Sequence, residues 1–113
     1  MNWKPLTSLD QLETIQKESA VKPVLIFKHS TTCNISQMVL NRLERNWNTR
    51  EMDPHVQAYF LDLKSYRLVS NEIAARFEVE HESPQVLIIR NGASVYDNSH
   101  VGIDYQQIRD IVT

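Results

Sequence analysis

The most informative hydrophobic pattern lies between Val24 and Trp47. Val24-Leu25-Ile26-Phe27 is an apolar run directly after Pro23, which predicts a buried strand over Val24–Lys28. The chain turns polar at His29–Thr32. Apolar residues then recur at Ile35, Val39, Leu43 and Trp47, a spacing that predicts a helix from about Cys33 to Trp47 with that face on a core. Upstream, Leu9, Leu12 and Ile15 form one stripe. Ser8 and Gln11 fit a capping box at its start, and Lys22-Pro23 ends the helix. Downstream, Asn48–Pro54 is polar and reads as a loop. Val56–Leu63 is rich in β-formers and predicts a second strand. Leu68–Phe77 predicts a helix with Val69, Ile73, Ala74 and Phe77 on one side, and Glu78–Pro84 is a connection. Gln85–Arg90 predicts a third strand, Asn91-Gly92 a two-residue hairpin turn, and Ala93–Asn98 the returning strand. Asp104 is a candidate N-cap for a last helix, with Tyr105, Ile108 and Ile111 or Val112 facing inward.

Two strands joined through a helix are expected to be parallel neighbours with a right-handed crossover, and the hairpin adds antiparallel strands. The expected class is α/β, with a mixed sheet of about four strands flanked by helices on both faces. With 113 residues and no repeat, low-complexity tract or linker, residues 1–113 are expected to form a single domain.

The only cysteine, Cys33, falls where strand gives way to helix. A helix N-terminus offers unpaired N–H groups and a partial positive charge, and both stabilise a thiolate, the nucleophilic form of cysteine. A lone cysteine is most often a small buried hydrophobe; the polar flanks and the helix start argue for a reactive thiol here. His55, His81 and His100 share no ligand spacing with it, so no metal site is expected. The net charge of −2 gives no footprint for nucleic acid. No apolar run approaches the roughly 20 residues that span a bilayer, and Met-Asn-Trp-Lys-Pro lacks an apolar signal region. With one cysteine and no internal disulfide, a reducing cytoplasm is the expected compartment.

The element order, a cysteine opening the first helix after a strand, and a proline just before the third strand resemble the thioredoxin fold. More narrowly, Thr32-Cys33-Asn34-Ile35-Ser36 resembles the Thr-Cys-Pro-Ile-Ser signature of the monothiol bacilliredoxins, the YtxJ-like bacillithiol-system proteins. Lys28-His29-Ser30-Thr31 and Glu82-Ser83-Pro84-Gln85-Val86 resemble them too, and Asn34 stands where the family pattern has proline.

The resemblance implies a thiol–disulfide oxidoreductase with Cys33 as nucleophile and no bound cofactor. Bacillithiol would be the co-substrate and bacillithiolated proteins the clients. Ser36 occupies the position of the resolving cysteine of dithiol relatives. It cannot close a disulfide, but could donate a hydrogen bond to the Cys33 thiolate. Phe27 stands where thioredoxins carry a buried acid. Thr32, Asn34, Ser36 and Ser83-Pro84, the last bond cis, would shape the site. Lys28 or His29 could meet the carboxylates of bacillithiol, and the sequence does not choose between them. A monomer or weak dimer is expected. Two other classes stay open. One is an iron–sulfur carrier like the monothiol glutaredoxins, whose motif has Gly and Phe at Asn34 and Ile35. The other is a redox-inactive interaction domain on the same fold.

Overall fold

The computed structural model describes residues 1–113. The order is β1 (Lys4–Pro5), α1 (Asp10–Glu18), β2 (Val24–His29), α2 (Asn34–Asn46), α3 (Thr49–Met52), β3 (Gln57–Asp62), α4 (Arg67–Phe77), β4 (Gln85–Arg90), β5 (Ala93–Ser99), a 3₁₀ turn (His100–Gly102) and α5 (Tyr105–Val112). The strands form one sheet in the order β1-β3-β2-β4-β5. β1 and β2 flank β3 in parallel, β2 pairs antiparallel with β4, and β4 with β5. The sheet is mixed, as expected, with five strands rather than about four.

Strand alternation divides the interior into two layers. Val24 and Ile26 point to one face with Leu12 and Ile15 of α1 and Val69, Ile73 and Phe77 of α4. Leu25 and Phe27 point to the other with Val39, Leu40 and Leu43 of α2, Met52 of α3, and Ile108 and Val112 of α5. Helices therefore cover both faces. Asn91 and Gly92 both have positive φ, 53° and 79°, the backbone of the predicted hairpin turn. Asp104 caps α5 by accepting from the Gln106 N–H at 3.1 Å.

Four local expectations are corrected. Leu9, not Ser8, is the N-cap of α1 and is 46% exposed; only half of the capping box forms, with Gln11 Oε1 accepting from the Ser8 N–H at 3.1 Å. Asn48–Pro54 is not all loop, because Asn48 Oδ1 accepts from the Glu51 N–H and caps the one-turn α3, which buries Met52 completely. Ile35 is 45% exposed, and the inward position on that turn belongs to Ser36. The buried face of α2 descends through Leu43, Leu40 and Val39 to residue 36, and residue 35 rotates off it. Finally, β1 adds a strand of two residues.

Candidate functional site around Cys33

Cys33 is the N-cap residue of α2, in an extended conformation (φ −106°, ψ 116°), and it is partly exposed. Its own N–H donates to the Ser30 carbonyl at 3.2 Å, closing the turn after β2. Its carbonyl accepts the first helical bond, from the Gln37 N–H at 3.2 Å. The N–H groups of Asn34, Ile35 and Ser36 have no partner in the chain. Three free donors and the positive end of a 13-residue helix therefore follow Cys33 directly, a setting that favours negative charge, and none of the three donates to its sulfur.

Asn34 is the first residue of α2 and is exposed. Proline is well tolerated at that position because the N–H it lacks has no partner anyway. Asn34→Pro is expected to leave the fold intact and change the alkylation rate of Cys33 by at most about tenfold, 1.4 kcal/mol in the barrier.

Ser36 is fully buried and turned towards β2. Its Oγ lies 2.7 Å from His29 Nδ1 and accepts from the Ser30 N–H at 3.1 Å. The expected hydrogen bond to the Cys33 thiolate is not formed, because the hydroxyl is already engaged on its inner side. Ser36 instead ties the first turn of α2 to the end of β2. Ser36→Ala would leave buried polar partners unpaired and is expected to cost about 1–3 kcal/mol, read as a lower denaturant midpoint at unchanged m-value.

Neither proposed cation reaches solvent. Adjacent strand residues point to opposite faces, so Lys28 and His29 diverge. His29 is 4% exposed, packed at 5.3 Å from the Phe60 ring and bonded to Ser36. Burial pushes its pKa down, while the Asp62 and Glu44 carboxylates oppose that shift. Lys28 is completely buried on the other face, with its Nζ 3.2 Å from His81 Nδ1, and burial lowers its pKa to about 8. The expectation that either meets a ligand's carboxylates is corrected by this burial, which covers each of them under a packed layer.

The Ser83–Pro84 peptide is cis. Gln85 pairs with Lys28, so Pro84 stands level with His29, at the end of the sheet that leads into the Cys33 turn. Three buried side-chain oxygens lack any hydrogen-bond partner in the chain: Asp62 Oδ1, Ser83 Oγ and Gln85 Oε1. Asp62 pairs with His29 and Gln85 with Lys28, so all three lie at that end of the sheet, Asp62 on the His29 face and Gln85 on the Lys28 face. Folded proteins rarely leave such atoms orphaned, and where they do the reason is often functional.

Lys64 joins the site from outside the residues the sequence singles out. Its Nζ donates to Thr32 Oγ1 at 3.1 Å, which puts an exposed cation one residue from Cys33. The signal was available in the topology: β2 and β3 are parallel neighbours, and the segments after their C-terminal ends adjoin. The Leu63 N–H donates to the His29 carbonyl at 3.0 Å and fixes that junction.

A five-stranded mixed sheet with a cysteine capping α2 and a cis proline opening β4 defines a thioredoxin-fold protein. Solved structures agree. A candidate oxidoreductase with a thioredoxin fold is 32% identical, with a TM-score of 0.79 over 94% of this chain and 89% of its own. The Malassezia sympodialis thioredoxin Mala s 13 shares the fold at 18% identity, with a TM-score of 0.75 over 98% of this chain and 88% of its own. The Fasciola hepatica thioredoxin does so at 17% identity, with a TM-score of 0.70 over 96% and 95%. The family model for the monothiol bacilliredoxin BrxC matches residues 4–108. The chain belongs to the monothiol bacilliredoxin family, within the thioredoxin-fold oxidoreductases.

Proposed function

We propose that this protein removes bacillithiol from S-bacillithiolated proteins in a reducing cytoplasm, through a mixed disulfide on Cys33. The observation that carries this reading is one partly exposed thiol at a helix N-terminus, with a buried, hydrogen-bonded serine at the position three residues on. The Cys33 thiolate attacks the bacillithiol sulfur of the client mixed disulfide. The Cys33–bacillithiol bond forms, the client's S–S bond breaks, and the client thiolate departs and takes a proton from solvent. Ser36 supplies no thiol, so the adduct waits for an outside one. A second bacillithiol thiolate, or the thiol of another bacilliredoxin, attacks it and restores Cys33. The positive end of α2, where three N–H groups have no partner, favours the attacking thiolate and the same sulfur when it leaves.

The partners in this scheme are bacillithiolated clients and bacillithiol, with the protein acting as a monomer or weak dimer. A client carrying one bacillithiol tests it. Mixed with reduced protein, the client should lose the bacillithiol mass while this chain gains it. Client mass unchanged after many multiples of the wait needed for small-molecule exchange would contradict the proposal.

A further inference from the structure

We propose that the cavity formed where the segment after β3 meets the segment before α1 seats the carboxylate-bearing part of a low-molecular-weight thiol, with Lys64 and Arg67 as its cations. The proposal rests on the functional reading above and assigns the binding determinant that Lys28 and His29 do not supply. The cavity has a volume of about 400 Å³. Thr7, Ser8, Lys64, Tyr66, Arg67 and Leu68 are among its nine lining residues, and none of the nine is acidic. Two cations therefore line it in a chain whose net charge is −2, and the carboxylate beside it, Asp62, is held by the Ser65 hydroxyl at 3.0 Å. Neither Lys64 nor Arg67 takes part in an ion pair, so their charge is available to an anion.

Lys64 connects the cavity to the turn that carries the reacting sulfur. Lys64 lines the cavity and also donates to Thr32 Oγ1 at 3.1 Å, next to Cys33 in the chain. A thiol whose sulfur is bonded to Cys33 and whose carboxylate lies on Lys64 would therefore run from the mouth of α2 into this cavity. The lining also offers neutral donors and acceptors for a polar body. The Tyr66 hydroxyl has no partner within the chain, and the residue is exposed. Buried Lys28 and His29 offer nothing comparable, because the first is shielded beneath the sheet and the second is locked to Ser36.

The test compares a charged and an uncharged disulfide. Adduct formation on Cys33 is followed by intact mass, at limiting concentrations of bacillithiol disulfide or of neutral hydroxyethyl disulfide. Wild type, Lys64→Gln and Lys64→Gln/Arg67→Gln are compared, each checked for folding by circular dichroism. Exposed ion pairs suggest a loss of about three- to fivefold per cation, or roughly tenfold for the double variant, with bacillithiol disulfide alone. High salt should remove most of the wild-type advantage. Equal slowing with both disulfides would overturn the proposal, because Lys64 would then act only through Thr32 on the turn. Unchanged rates with both would overturn it too. In either case wild-type adduct formation leaves the functional reading standing. A wild-type protein that reacts with the neutral disulfide but never with bacillithiol disulfide would overturn both.

Discussion

Cys33→Ser is expected to reduce thiol transfer to the uncatalysed background while leaving the fold in place. Exchange proceeds only by thiolate attack on a disulfide sulfur, and a serine hydroxyl is neither ionised near neutral pH nor able to form that bond. The chain holds one cysteine, so no second thiol can substitute. The fold should not notice the change. Cys33 is partly exposed, its side chain makes no capping bond, and it belongs to neither apolar cluster. A surface substitution of this kind shifts stability by about 0.5 kcal/mol or less. The measurement pairs a transfer assay with a denaturant midpoint. Retained transfer would show that Cys33 is not the nucleophile. A collapsed midpoint would show that Cys33 also has a structural role.

Lys28→Met is expected to stabilise the protein, with an effect that fades at alkaline pH. Lys28 is fully buried, and the only partner of its Nζ is His81 Nδ1. Burial lowers its pKa from 10.5 to about 8. At neutral pH the group is charged in both the folded and unfolded chains, so the folded state carries the full desolvation penalty, about 3 kcal/mol. Between pH 8 and 10.5 the folded protein has released a proton that the unfolded chain still holds. The unfolded state then binds more protons, so this group's contribution to stability rises with pH across that window. Methionine keeps the unbranched stem and removes the charge. Its advantage should approach about 3 kcal/mol at pH 7 and shrink towards zero near pH 10.5. Tyr59 acts in the opposite sense at the alkaline end. Burial, together with its hydrogen bond to Glu18, holds its pKa above the ordinary value, so the two curves must be subtracted at each pH. A methionine variant that is less stable at pH 7, or an advantage that does not vary with pH, would contradict this account of Lys28.

The parts of this molecule that were legible in the sequence are those with local, periodic causes. The apolar run Val24–Phe27 and the polar turn after it located β2 and the start of α2, because both are fixed within a dozen residues. Asn91-Gly92 located the hairpin, because a turn requiring positive φ at two positions admits few residue pairs. What was missed has non-local causes. The Lys4–Pro5 strand exists only by pairing with Tyr59 and Phe60, and two residues carry no period. The α3 turn is four residues long and depends on one Asn48 cap. Ile35 fitted a four-residue spacing, yet a helix of 3.6 residues per turn gives the inward slot to Ser36, which only His29 and the Ser30 N–H make useful.

The site divides in the same way. The place of Cys33 at the start of α2 was legible because its local setting alone marks it. Lys28 and His29 are out of a ligand's reach because helices cover both faces of the sheet, a non-local fact: the pleat sends one under each covered face. Lys64 was missed because it lies 32 positions from Thr32 and meets it only once β2 and β3 pair. The unpartnered oxygens of Asp62, Ser83 and Gln85 come from two segments, the end of β3 and the stretch around Pro84, which meet at one end of the sheet only in the folded chain.

The central claim is that one thiol at the mouth of α2 accepts and releases bacillithiol. Intact-mass analysis of the reduced protein after exposure to bacillithiol disulfide tests it most directly. A single added bacillithiol that maps to Cys33, and is then lost on adding excess bacillithiol, is the predicted result. An unmodified mass, or an adduct that excess bacillithiol does not remove, would contradict it.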